Sequence, residues 1–145
     1  MLDCWRNLVI KKIAHIGIAT HSINATLEFY KNLGLEVKCT EVVKDQQVKV
    51  AVMQVGDSAI ELIESTAKSS PISRFISSRG QGLHHVTFEV DNLEKHLLIL
   101  KDQNIRLIDE NPRYGADGAL IAFIHPDSAG GVLIELSQPA LEVVE

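Results

Sequence analysis

The sequence predicts an α+β fold made of two like β-α-β-β-β modules, and three observations carry the prediction. The strand-like stretch around His15 (Ile13 to Ala19) returns in altered letters around His85 (Leu83 to Glu89), 70 residues later. The helical apolar spacing of Ile23, Leu27 and Tyr30 returns at the same offset as Leu93, Leu97 and Leu100, and Leu35 and Val37 return as Ile105 and Leu107. Each module also ends on a short apolar strand with a carboxylate inside it, Glu61 in Ala59-Ile60-Glu61-Leu62 and Glu135 in Leu133-Ile134-Glu135-Leu136.

Each element follows from a local pattern. Residues 13–20 alternate as a strand does, with Ile16 and Ile18 on one side and His15 and Gly17 on the other. Ser22 suits a helix N-cap and Gly34 a helix stop. Val37 opens a second strand, and strands at 48–55 and 58–64 meet at Gly56-Asp57, a hairpin signal. A connector at 65–81 holds a short helix, with Ser70 as cap, Pro71 in the first turn and Ile72, Phe75 and Ile76 as its apolar stripe. The second module repeats the order. It has a strand at 83–90, a helix from about 92 to 103, a strand near 105–108, a Pro/Gly-rich loop at 111–118, and strands at 119–125 and 131–137. The chain reads as one domain, 1–145, with module one at about 13–64, the connector at 65–81 and module two at about 82–138. No regular pattern is read after Pro139, and that tail is expected to fray.

Bulk properties narrow the function. A chain of 145 residues with 46% apolar content can bury a proper core. A net charge of −5 argues against a nucleic-acid partner, which calls for a basic face. No apolar run approaches the length of a membrane span, and residues 1–12 lack a signal-peptide core, so a cytoplasmic protein is expected. Cys4 and Cys39 show neither metal nor redox spacing and read as two free thiols.

The residues that carry chemistry are His15, Glu61, His85 and Glu135. Period-two alternation sets each of them opposite an apolar face: His15 against Ile16 and Ile18, Glu61 against Ile60 and Leu62, His85 against Val86 and Phe88, Glu135 against Ile134 and Leu136. All four therefore point to the concave side of a curved sheet. A lone strand histidine is usually a hydrogen-bonded core residue, and a lone strand Glu usually solvated. The matched positions of these four in a repeat argue otherwise. Buried carboxylates inside strands call for a compensating charge, and two imidazoles with two carboxylates form a complete ligand set for a divalent cation such as Zn, Co, Ni, Mn or Fe(II). His21 (loop), His96 (polar side of a helix) and His125 (before a turn) read as ordinary. His84 points away from His85, and Glu64 lies opposite Glu61 and reads as solvated.

The segments "HIGIA" at 15–19, "FYKNLGLEV" at 29–37, "IELIE" at 60–64, "GLHHVTFEV" at 82–90, "ENPRYGADGA" at 110–119 and "FIHPDSAGGVLIEL" at 123–136 resemble the vicinal oxygen chelate superfamily, and within it the methylmalonyl-CoA epimerases. The resemblance implies paired βαβββ modules forming a curved, partly closed mixed sheet around a metal cleft, usually in a homodimer. It puts the metal ligands at His15, Glu61, His85 and Glu135, a donor set that accepts Co, Zn, Ni or Mn. The implied reaction is epimerisation of a CoA thioester, methylmalonyl-CoA, by removing and returning a proton at the carbon next to the thioester, through a metal-stabilised enolate. Glu135 is expected to act as one base. Some epimerases carry a catalytic Glu at the place of Val50, with Gln as the second ligand; here Glu61 fills the ligand place and becomes the second base by default. Arg74, Arg79, Arg113 and Lys49 are candidates for a positive rim toward the CoA group.

Three other readings compete. Glyoxalase I (lactoylglutathione lyase) shares the His and Glu positions. An Fe(II) dioxygenase keeps two His and one carboxylate, so Glu61 counts against it. A non-enzymatic binding module of the bleomycin-resistance type needs no metal, and the full ligand set speaks against it.

Overall fold

A computed structural model describes residues 8–141. Among these, residues 15–85 form one compact unit, and residues 86–141 with 8–14 form another. The first contains β1 from His15 on (β1 is Ile10–Ala19), helix α1 (Ile23–Asn32), β2 (Val37–Val43), β3 (Val48–Val55), β4 (Ser58–Ser65), α2 (Pro71–Arg79) and the start of β5 (Gly82–Val90). The second contains the rest of β5, α3 (Leu93–Asp102), β6 (Arg113–Tyr114), β7 (Leu120–Ile124) and β8 (Ile134–Gln138). The α+β class and the doubled βαβββ order are as the sequence predicts, except that the second strand of the second module is β6, inside the segment expected to be a loop at 111–118.

In the first unit the strand order is β2-β3-β4-β1, with β4 and β1 parallel and the other pairs antiparallel. The second unit repeats it as β6-β7-β8-β5, with β8 and β5 parallel. Each module helix is started by the same two devices. Ser22 Oγ accepts from Ala25 N–H at 3.2 Å, and Asn92 Oδ1 accepts from Lys95 N–H at 3.1 Å. Glu64 Oε1 accepts from Ile23 N–H at 3.1 Å, and Gln138 Oε1 accepts from Leu93 N–H at 2.9 Å. Glu64 does lie opposite Glu61, but it is not merely solvated, because the α1 N-terminus needs an acceptor.

The cores repeat as well. Under α1, Ile23, Ala51, Met53 and Leu62 are buried with Leu27 and Tyr30 packed on them. Under α3, Leu93, Leu97, Ala122, Ile124 and Leu136 do the same with Leu100. The connector helix α2 adds a third cluster: Ala19, Val48, Ile63 and Ile72, with Val50, Phe75 and Ile76. These strand residues share the face of His15 and Glu61, so α2 seals one end of the face that carries the site.

Three further expectations need correction. No strand forms at 105–108; a single bridge, Leu107 to Ile124, stands there. Asp109 takes the ladder's place, since its Oδ2 accepts Phe123 N–H at 2.8 Å. His96 is not on a polar helix side. It is 3% exposed, its Nδ1 lies 2.8 Å from Asn92 O, and among the described residues its Nε2 finds no partner. His84, thirdly, does not turn away from His85, as described below. His125 does precede a turn, accepting from Asp127 N–H at 3.0 Å. Cys39 is exposed with a free thiol, and Cys4 lies outside the described residues. Among the described residues no helix is long and apolar enough to cross a membrane.

Candidate active site

Three strands of the first unit each deliver one side chain. β1 carries His15 and pairs in parallel with β4, with Gly17 opposite Glu61, so the two side chains rise from the same face of adjacent strands. His85 stands on β5 and is 6% exposed. His15 Nε2 lies 3.1 Å from Glu61 Oε2 and 3.1 Å from His85 Nε2. The donor atoms of all three lie within 4.8 Å of one another. His15 and Glu61 are partly exposed, so solvent reaches the cluster.

The chemistry of this donor set fits a divalent cation. Ligand atoms at about 2 Å from one ion stand roughly 3 Å apart, which is the spacing of His15 Nε2 from the donor atoms of both Glu61 and His85. Imidazole nitrogen and carboxylate oxygen together suit borderline divalent metals. One proton on an imidazole satisfies one of these short contacts; a shared cation satisfies all of them.

The His85 ring is seated by a neighbour with no side chain. A Cβ built on Gly17 would collide with the ring atoms of His85, so the ring occupies the space that any larger residue would fill. In the other unit, Thr87 stands two residues after His85 as Gly17 stands two after His15. It pairs with Glu135, just as Gly17 pairs with Glu61. Thr87 Oγ1 donates to Glu135 Oε2 at 2.9 Å, and Glu135 is only 7% exposed. Thus three of the four predicted residues come together in one unit, and the fourth is a buried, oriented carboxylate in the other.

Some contacts lay beyond the sequence reading. His84 Nδ1 is 2.9 Å from His85 Nδ1, and the His84 ring meets Phe75 of α2 edge to face. The alternation of Cβ directions put His84 on the far side, but its ring turns back beside its neighbour. The doubled histidine in "GLHHV" was the available signal. Val50 pairs with Ile63, two residues along β4 from Glu61, and packs in the α2 cluster, so it shares the Glu61 face as an apolar residue. Of the rim candidates, Lys49 pairs with Glu64 on the α1 face, away from Glu61. Arg79 lies over the Phe75 ring at 5.7 Å, and Arg113 over Phe123 at 5.3 Å with its Nε 3.5 Å from Asp109. Arg74 is exposed on α2.

Comparison with known proteins gives the family. The profile of the Glyoxalase/Bleomycin resistance protein/Dioxygenase superfamily matches residues 14–123. A Bacillus subtilis relative, uncharacterized protein YqjC, is 45% identical over 90% of this chain and 94% of its own. The mitochondrial methylmalonyl-CoA epimerase of Bos taurus is 35% identical over 88% of this chain and 74% of its own. A solved methylmalonyl-CoA epimerase in complex with methylmalonyl-CoA and NH4+ superposes with a TM-score of 0.86 at 34% identity, covering 91% of this chain and 96% of that one. The chain belongs to the glyoxalase/bleomycin resistance protein/dioxygenase superfamily and, within it, to the family of the methylmalonyl-CoA epimerases.

Proposed function

We propose that this protein is a metal-dependent methylmalonyl-CoA epimerase whose cation is held by His15, Glu61, His85 and Glu135. The observation that carries the proposal is the convergence of His15, Glu61 and His85 donor atoms within 4.8 Å, in a chain of the epimerase family. Glu135 enters as the repeat-equivalent of Glu61, and the Thr87 hydrogen bond that fixes its carboxylate supports a defined role. A divalent cation bound there supplies Lewis-acid stabilisation of the negative charge that develops on the thioester oxygen.

The proton steps fall to the chain's own carboxylates. Glu135 takes the α-proton onto a carboxylate oxygen, leaving the electron pair delocalised toward the thioester carbonyl. Glu61, carrying a proton drawn from solvent, gives it to the opposite side of that carbon, and Glu135 releases the proton it took to solvent, so the carbon is inverted with no net change in atoms. Val50 is apolar and packed, so it leaves this second step to another group. The native metal is drawn from Co, Zn, Ni and Mn, since the donor set accepts each of them. A homodimer in the cytoplasm completes the reading, and light scattering after size exclusion checks the dimer.

The test is hydrogen exchange. Cobalt-loaded protein in heavy water should place deuterium at the α-carbon of methylmalonyl-CoA and equilibrate its epimers, and it should form no lactoylglutathione from the glutathione hemithioacetal. Glu135→Gln should abolish the exchange. Lactoylglutathione formation without epimerisation would move the chain to the glyoxalase I reading, and unchanged exchange in folded Glu135→Gln would remove Glu135 as the base.

A further inference from the structure

His85 is restrained on three sides. Gly17 leaves room beneath the ring, His15 Nε2 faces its Nε2 at 3.1 Å, and His84 Nδ1 faces its Nδ1 at 2.9 Å. His84 is itself held: its ring stands edge-on to Phe75, with centroids 4.9 Å apart and planes at 82°. Phe75 in turn lies under the guanidinium of Arg79. A line of contacts therefore runs from the connector helix to the cluster.

A neutral imidazole carries one N–H. The nitrogen that binds a cation must be bare, so the proton must sit on the other nitrogen, and the hydrogen bond made there decides the tautomer. Two Nδ1 atoms in hydrogen-bond contact require one donor and one acceptor. We propose that His84 is a positioning residue whose Nδ1 accepts the Nδ1–H of His85, keeping His85 Nε2 an open electron pair toward His15 and Glu61. The inference rests on the cation-site reading above. Ligating histidines commonly give their outer N–H to a carboxylate or a backbone carbonyl. Here a neutral imidazole, braced by Phe75, does this without adding charge beside the Glu61 carboxylate. His84 must then carry its own proton on Nε2.

Two substitutions and two readouts test this. His84→Phe keeps a ring against Phe75 but removes the acceptor. His84→Asn offers an amide oxygen where Nδ1 stood. Nitrogen NMR of the metal-free protein should find His85 protonated on Nδ1 in the parent and in His84→Asn, and no longer dominantly so in His84→Phe. Cobalt affinity, read by titration calorimetry, should fall about 10- to 100-fold in His84→Phe and recover most of that in His84→Asn. Circular dichroism confirms that each variant is folded. Equal cobalt affinity of folded His84→Phe and the parent overturns the proposal, as does a parent His85 protonated on Nε2. If the parent takes up no cobalt, the cation reading fails by itself, and the tautomer comparison still decides the role of His84.

Discussion

Gly17 and Thr87 occupy the same place in the two modules, two residues beyond His15 and His85, and they do opposite things. Gly17 clears space, and the His85 ring uses it. Thr87 adds a hydroxyl, and the Glu135 carboxylate is fixed by it. Away from this position the modules agree closely, down to the side chain that accepts the first amide of each helix, Glu64 on Ile23 and Gln138 on Leu93. The duplication thus preserves the helix starts and the strand pairing, and one part of the functional asymmetry lies in side chains on the strand faces. The second difference is α2, which covers one end of the first module's strand face and braces His84 through Phe75.

Substitutions can break this comparison in graded steps. The largest effect is expected from His15→Ala or His85→Ala, either of which should end stoichiometric cobalt uptake in calorimetry while the fold persists. Gly17→Ala comes next. Its methyl collides with the His85 ring, so cobalt binding should weaken markedly and stability should fall by about 1–3 kcal/mol in urea unfolding. An unchanged cobalt affinity would mean that the ring relocates without cost. Thr87→Val keeps the shape but leaves the buried Glu135 without that donor, with an expected loss of about 1–3 kcal/mol by the same measurement. The smallest effects sharpen the likeness of the modules. Glu64→Ala and Gln138→Ala should each cost about 0.5–1.5 kcal/mol, should match each other, and should add in the double variant.

Much of this was legible in the letters. Alternation along each strand put His15 and Glu61 on one face, and the pairing of Gly17 with Glu61 bears that out. Ser22, Ser70 and Gly56-Asp57 marked boundaries because caps and tight turns depend on the local chain alone. What failed depended on partners distant in sequence. Glu64 looked solvated because nothing local shows that Ile23 N–H comes to it. His96 looked polar-sided, yet it follows Leu93 by three residues and so shares the buried stripe of α3. The repeat implies a strand at 105–108, but the Asp109 carboxylate replaces the backbone acceptor a ladder would have used. The contact of His84 with His85 is not visible in the pattern, because alternation fixes where a Cβ points and not where a long ring comes to rest.

The vacancy at Gly17 also bears on how this chain tolerates change. In a saturation library, position 17 should reject nearly every codon, with the mildest losses for the smallest replacement, although glycine offers no group to a substrate. A site finder that ranks positions by intolerance alone would count it among the reacting residues. Its proper description is the mould in which the His85 ring is cast.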